Sequence, residues 1–169
     1  MSTPQDDEIN RGGVCTSERV RLLQDTVVSV RVGRGQDIES WSLHRSLLTH
    51  HSPYFATGLT ETPRRSTLHT IKLPEDDPAA FALFVQWLYT GRIAARRDKL
   101  PAVVCHAWVL GEKLQCPAFQ DRVMCRLLAC HVSEALNEDT VQLIYEISPA
   151  GSRLRAFAVD QFFWNRGGE

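Results

Sequence analysis

Val28, Val30 and Val32 alternate with Ser29 and Arg31 in the run Thr26-Val27-Val28-Ser29-Val30-Arg31-Val32. Period two in β-branched residues predicts a half-buried strand, because successive side chains of an extended backbone point to opposite faces. Gly33-Arg34-Gly35-Gln36-Asp37 supplies turn residues, and Trp41 and Leu43 then alternate with Ser40 and Ser42. The two runs predict an antiparallel hairpin. A third alternating run, Leu68 to Leu73, puts Ile71 and Leu73 on one face. Strands near 26–32, 40–43 and 68–73 therefore predict one small three-stranded sheet. Helical signals dominate the rest of the chain, so the class is α+β rather than a doubly wound parallel sheet.

Proline starts mark the helices. Leu47 and Leu48 fit a short helix, and Ser52-Pro53 forms an N-cap and first-turn pair opening a turn through Tyr54, Phe55 and Leu59. Asp77-Pro78 repeats the device before a helix from Ala79 to Tyr89. That helix is apolar almost all round (Phe81, Leu83, Phe84, Val85, Trp87, Leu88), so it is either buried or covered by a partner. Pro101 to Gln115 carries a stripe of Val103, Ala107, Leu110 and Leu114, and Pro117 opens a helix with Phe119, Val123 and Leu127 in line. Asp139 to Ile147 is expected to be capped by Asp139, with Gln142 reaching back, and Ser152 to Trp164 forms the last helix. A short helical turn fits Ser17 to Leu23. The organisation is a solvated tail over 1–16, a domain over 17–131 and a helical extension over 132–169.

Composition narrows the function classes. The chain has 169 residues, and its 19 basic and 20 acidic side chains give no excess charge for nucleic acid or anionic lipid. Near the middle, the longest uncharged stretch runs only from Leu100 to Gly111, short of the ~20 apolar residues a bilayer span needs. Residues 1–10 are polar and acidic, with no apolar core of a secretory signal. Five cysteines without a C-x-x-C pair fit reduced thiols, hence cytoplasm or nucleus.

Chemical motifs are incomplete. Gly33-Arg34-Gly35 is followed by a strand, whereas a dinucleotide site needs a helix N-terminus there. Cys105-His106, Cys116, Cys125 and Cys130-His131 are not spaced as a zinc set and read as small apolar core residues. His44 and His50-His51 lack a nucleophile motif, and Glu75-Asp76-Asp77 reads as acid favouring a helix N-terminus. No catalytic residue, metal or cofactor is assigned, and the chain does not read as an enzyme. Arg64-Arg65-Ser66-Thr67 and the run from Arg92 to Lys99 read as solvated loops; Ser66 and Thr67 make a candidate phosphorylation loop, where added phosphate would pair with arginine.

The ordered blocks carry a resemblance. Asp25-Thr26-Val27-Val28 enters the first strand, and Trp41-Ser42-Leu43-His44-Arg45-Ser46-Leu47-Leu48 precedes Ser52-Pro53-Tyr54-Phe55. Ile71-Lys72-Leu73-Pro74-Glu75-Asp76-Asp77-Pro78, Phe81 and Trp87-Leu88-Tyr89-Thr90-Gly91 follow. This order resembles a BTB/POZ domain over about residues 20–131. The short form, the Leu73–Pro78 stretch and the ending Phe162-Phe163-Trp164 resemble fungal members most.

The resemblance implies a protein-interaction module. Members dock on cullin-3 as ubiquitin-ligase adaptors, dimerise, or recruit transcriptional corepressors. The adaptor is the first expectation, and a self-associating or transcription-linked scaffold is the alternative. The family's charged pocket maps to Asp25 and Arg45, and its cullin-facing tyrosine to Tyr89. The candidate interaction residues are thus Asp25, Arg45, Glu75, Asp76, Asp77, Phe81 and Tyr89. Exposed apolar surface is expected near Tyr89 and the Glu75–Asp77 loop. The polar 1–16 segment and the short 17–23 turn depart from the long apolar lead-in of exchanged family dimers. The last two helices resemble an extension that thickens the cullin groove in some members, or they simply cap the helical half.

Overall fold

The computed structural model describes residues 16–60, 70–94, 100–131 and 136–164. The candidate phosphorylation loop at Ser66 and Thr67, the tail over 1–15 and the run between Ala95 and Lys99 lie outside the described residues.

A short helix α1 (Thr16–Leu22) precedes β1 (Val27–Val32), which pairs antiparallel with β2 (Glu39–His44). The register sets Val28 opposite Leu43 and Val30 opposite Trp41, so the apolar alternation of both strands falls on one face. Between them, Gly33 has φ +94°, and a Cβ there would lie 2.6 Å from the Asp37 carbonyl oxygen and 2.9 Å from Pro78 Cγ. Only glycine fits that turn. Two helices follow, α2 (Arg45–His51) and α3 (Pro53–Thr60), and return the chain to β3 (Thr70–Leu73). β3 lies beside β1 and parallel to it, in the order β2-β1-β3. The hairpin follows the sequence expectation. The parallel pairing of β3 was not specified by it; the α2–α3 crossover makes it, since parallel neighbours need a long connection.

The remaining helices are α4 (Pro78–Thr90), α5 (Leu100–Lys113), α6 (Pro117–His131), α7 (Glu138–Ile147) and α8 (Arg153–Trp164). Asp77 caps α4 by accepting the Ala80 N–H at 2.8 Å, with Pro78 in the first turn, and Gly91 ends it in the left-handed region at φ 68°. α4 is apolar all round because its own chain covers several sides. Phe81 meets Trp41 of the sheet at 4.9 Å between ring centroids. Phe84 contacts Phe55 of α3 at 6.3 Å and Phe119 of α6 at 5.2 Å, and Trp87 stands 5.1 Å from His51 of α2. Aromatic pairs at such spacings add to the burial of their area.

α5 runs through the helical half and buries more than one stripe: Val104, Cys105, Ala107, Trp108, Leu110 and Leu114 are all enclosed. It approaches α6 closely at Gly111, where a Cβ would lie 2.7 Å from Gln120 Cγ and 3.1 Å from the Phe119 ring. Its end is a Schellman turn: Cys116 N–H donates to the Gly111 carbonyl at 2.9 Å and Gln115 N–H to Glu112 at 3.0 Å. That motif places Gln115 at φ 54°.

Two sequence expectations need correction. The cap of α7 is Asn137, not Asp139: its side chain accepts the Thr140 N–H at 2.9 Å, while Gln142 donates to Glu146 instead of reaching back. Asn137 alone has the extended backbone, φ −72° and ψ 160°, that a cap requires, and Asp139 falls inside the first turn. Among the cysteines, Cys105 and Cys116 are buried as core residues, but Cys125 is exposed on the outer side of α6.

Candidate functional site

The predicted residues gather in three places along the sheet–helix junction. The first is the start of α2. His44 occupies the cap position but makes no capping side-chain bond. Asp25, just before β1, supplies the missing acid: its Oδ1 accepts the Thr26 N–H at 2.7 Å, and its Oδ2 accepts the Ser46 hydroxyl. A carboxylate beside a helix N-terminus is favoured by the helix dipole. Arg45 turns to α3, where its guanidinium donates to the Leu59 carbonyl, and its backbone N–H continues the strand ladder to Thr26 at 2.8 Å. Asp25 and Arg45 therefore anchor the same helix start, one to α2's first turn and one to α3's last.

The second place is the end of α4. The Tyr89 hydroxyl lies 3.2 Å from the His44 backbone N–H and 2.8 Å from His44 Nδ1. The hydroxyl accepts the His44 amide and shares a second hydrogen bond with the imidazole Nδ1. The ring stands edge-on to His44 at 5.9 Å, and Tyr89 is half-buried. Its hydroxyl thus ties the end of α4 to the junction of β2 and α2.

The third place is the Glu75–Asp77 loop. Here the three acids do separate work. Glu75 pairs with Arg34 at the exposed tip of the hairpin, Asp76 pairs with Lys113 of α5, and Asp77 caps α4. Phe81 is fully buried between Trp41 and Phe84, so it shapes this edge from beneath and offers no surface to a partner.

At the expected edge, Val27 pairs with His44, whose ring meets Tyr89, and Ile38 shares a depression with Pro74 beside Glu75; both belong to the large apolar side chains exposed among the described residues. The others are Val20 and Leu23 around α1, Leu128, Tyr145 and Val159. Tyr145 is partly engaged, with the Arg155 guanidinium 4.9 Å above its ring. Arg155 also donates to the Tyr145 carbonyl at 2.7 Å and to the Ser148 carbonyl, closing the end of α7 onto α8. Sequence reasoning missed this staple and the His44–Tyr89 contact, since neither leaves a local pattern.

Burial pushes the Cys105 thiol up to about 12 and that of Cys116 to about 11, the latter eased by the Phe119 N–H, so both stay protonated near neutrality. Among the described residues, no group of three or more His, Cys, Asp or Glu side chains is arranged to hold a metal ion. No helix among them is long and apolar enough to cross a membrane.

The chain matches the BTB/POZ domain family model over residues 23–128 and belongs to that family. BTB domains are protein–protein interaction modules, and this chain is one. No curated protein matches the chain in sequence. Among solved structures it is similar to the BTB domain of human gigaxonin, with 20% identity, 76% of this chain and 97% of that one covered, and a TM-score of 0.46. It is also similar to the BTB domain of zebrafish PATZ1, with 19% identity, coverage of 60% and 75%, and a TM-score of 0.45.

Proposed function

We propose that this domain works as a self-associating docking module, two copies meeting through α1 and the start of β1. The observation that carries this reading is the exposure there of Val20 (52%), Leu23 (37%) and Val27 (51%). Leu22, between them in sequence, packs against the core and holds α1 in place. Contiguous exposed apolar surface is a mark of interfaces, whereas scattered residues are ordinary, so the reading requires Val27 to continue the surface that Val20 and Leu23 begin. Light scattering on the parent and on a Val20→Glu, Val27→Glu double variant tests it. A dimer in the parent and a folded monomer in the variant is the expected result; a parent that stays monomeric at its highest soluble concentration refutes it.

A second reading is docking on a cullin-3-type scaffold. α7 packs on α5 and α8 on α7, extending the helical half beyond the family match, and Tyr145 and Val159 stay exposed on that extension. Capture of a purified cullin-3 N-terminal domain by the parent, lost on removal of both exposed side chains, is its test.

A further inference from the structure

The outer face of the sheet collects cations, two of which no bond among the described residues engages. Arg31 of β1 lies directly opposite Lys72 of β3, and both are exposed. Like charges in that position repel and weaken a sheet. No hydrogen bond or ion pair within the described residues engages either side chain, although Ser40, the cross-strand neighbour of Arg31 on the other side, could have been an acid. Arg34 follows at the hairpin tip, where Glu75 is its exposed partner. Exposed pairs of that kind contribute little and exchange readily.

These three cations line one open depression of about 270 Å³, together with Gly33, Gly35, Ile38 and Pro74. Among the described residues no carboxylate lines it, and Glu75, the acid that follows Pro74, is paired with Arg34. Its floor is apolar, and Gly35 has open space around it, so backbone as well as side chains is accessible to an extended chain. The whole protein is close to neutral, with a net charge of −1, so the cluster is a local segregation of charge and not the by-product of a basic chain.

We propose that this depression binds an acidic segment of a partner protein, an extended stretch carrying several carboxylates with an apolar side chain among them. The carboxylates pair with Arg31, Lys72 and Arg34, the last exchanging Glu75 for the ligand. The apolar side chain lies between Ile38 and Pro74. Arginine favours bidentate carboxylate pairing, which sets the orientation of the segment. The site lies on the outer sheet face and does not depend on whether copies pair through α1.

The test uses the full chain and a fluorescein-labelled peptide of alternating Glu and Leu, with a Gln-for-Glu peptide and a single-stranded oligonucleotide of equal charge as comparisons. Anisotropy should show saturable binding of the acidic peptide that weakens as salt rises, because exposed charges are screened. The Arg31→Ser, Arg34→Ser, Lys72→Ser variant should bind at least about tenfold more weakly, since each exposed pair is worth roughly a two- to five-fold factor. All three side chains are exposed and two repel, so the variant should melt no lower than the parent. Glu75→Gln should tighten binding by freeing Arg34. The proposal is overturned if the Gln peptide binds equally, if the triple variant binds like the parent, or if the oligonucleotide is preferred.

Discussion

Ser52→Ala removes a single oxygen that serves two helices. Ser52 is fully buried; its hydroxyl donates to the Leu114 carbonyl at 2.6 Å and receives the Phe55 N–H at 3.4 Å. The second bond caps α3, and losing such a cap costs about 1 kcal/mol. The first bond satisfies the carbonyl of a fully buried residue where α5 ends, and stranding that oxygen costs a further ~1–3 kcal/mol. The sum is about 3 kcal/mol, which at this chain length lowers the midpoint of thermal unfolding by about 9 °C. Calorimetry on the parent, Ser52→Ala and Ser52→Gly separates the two parts. Glycine is a tolerable cap, costing only a few tenths of a kcal/mol there, so its variant should still lose most of the carbonyl share. A Ser52→Ala midpoint within about 2 °C of the parent would refute the reasoning, because neither bond would then matter. A Ser52→Gly protein as stable as the parent would show that the Leu114 carbonyl finds another donor.

Gln115→Gly should raise stability by about 1 kcal/mol, read by urea unfolding, since Gln115 holds the left-handed turn at φ 54° and only glycine does so without a steric penalty. Arg155→Ala removes the ring stack on Tyr145 and the donors to the end of α7, and should speed amide hydrogen exchange in α8 about tenfold while leaving α4 unchanged. Cys105 gives a pH dependence: folded, its thiol keeps its proton up to about 12, but unfolded it ionises near 9.0. Above pH 9 the unfolded chain has therefore released a proton that the folded chain still holds, so this stability is full below that pH and drains away as pH rises toward 12. Between about pH 8 and pH 10 the stability advantage of the parent over Cys105→Ala should shrink by about 1.4 kcal/mol, and a difference that stays constant with pH would contradict the burial.

Local chemistry was legible wherever one residue's own backbone decides it. Ser52-Pro53 and Asp77-Pro78 read correctly as helix starts, because capping and the fixed φ of proline act within a few residues. The α7 start shows the limit: Asn137, Glu138 and Asp139 are all chemically suited to a helix N-terminus, and the backbone conformation selects Asn137. Pairings across long separations left no such trace. Ser52 with Leu114, His44 with Tyr89 and the parallel seat of β3 beside β1 each follow from how finished elements dock. A sequence period fixes which face of an element is apolar, not which neighbour it meets. The helix from Ala79 to Tyr89 shows what this means for function. Its all-round apolar character is compatible with burial or with a partner, and the choice depends on whether the chain supplies enough aromatic surface elsewhere. Trp41, Phe55 and Phe119 arrive from the sheet, α3 and α6 to meet it. The most apolar helix is thereby largely spent on the core. On the readings proposed above, binding energy for a partner comes from side chains the core did not need: the valines and leucine around α1 and the start of β1, and Arg31 and Lys72 on the outer sheet face, which no bond among the described residues engages.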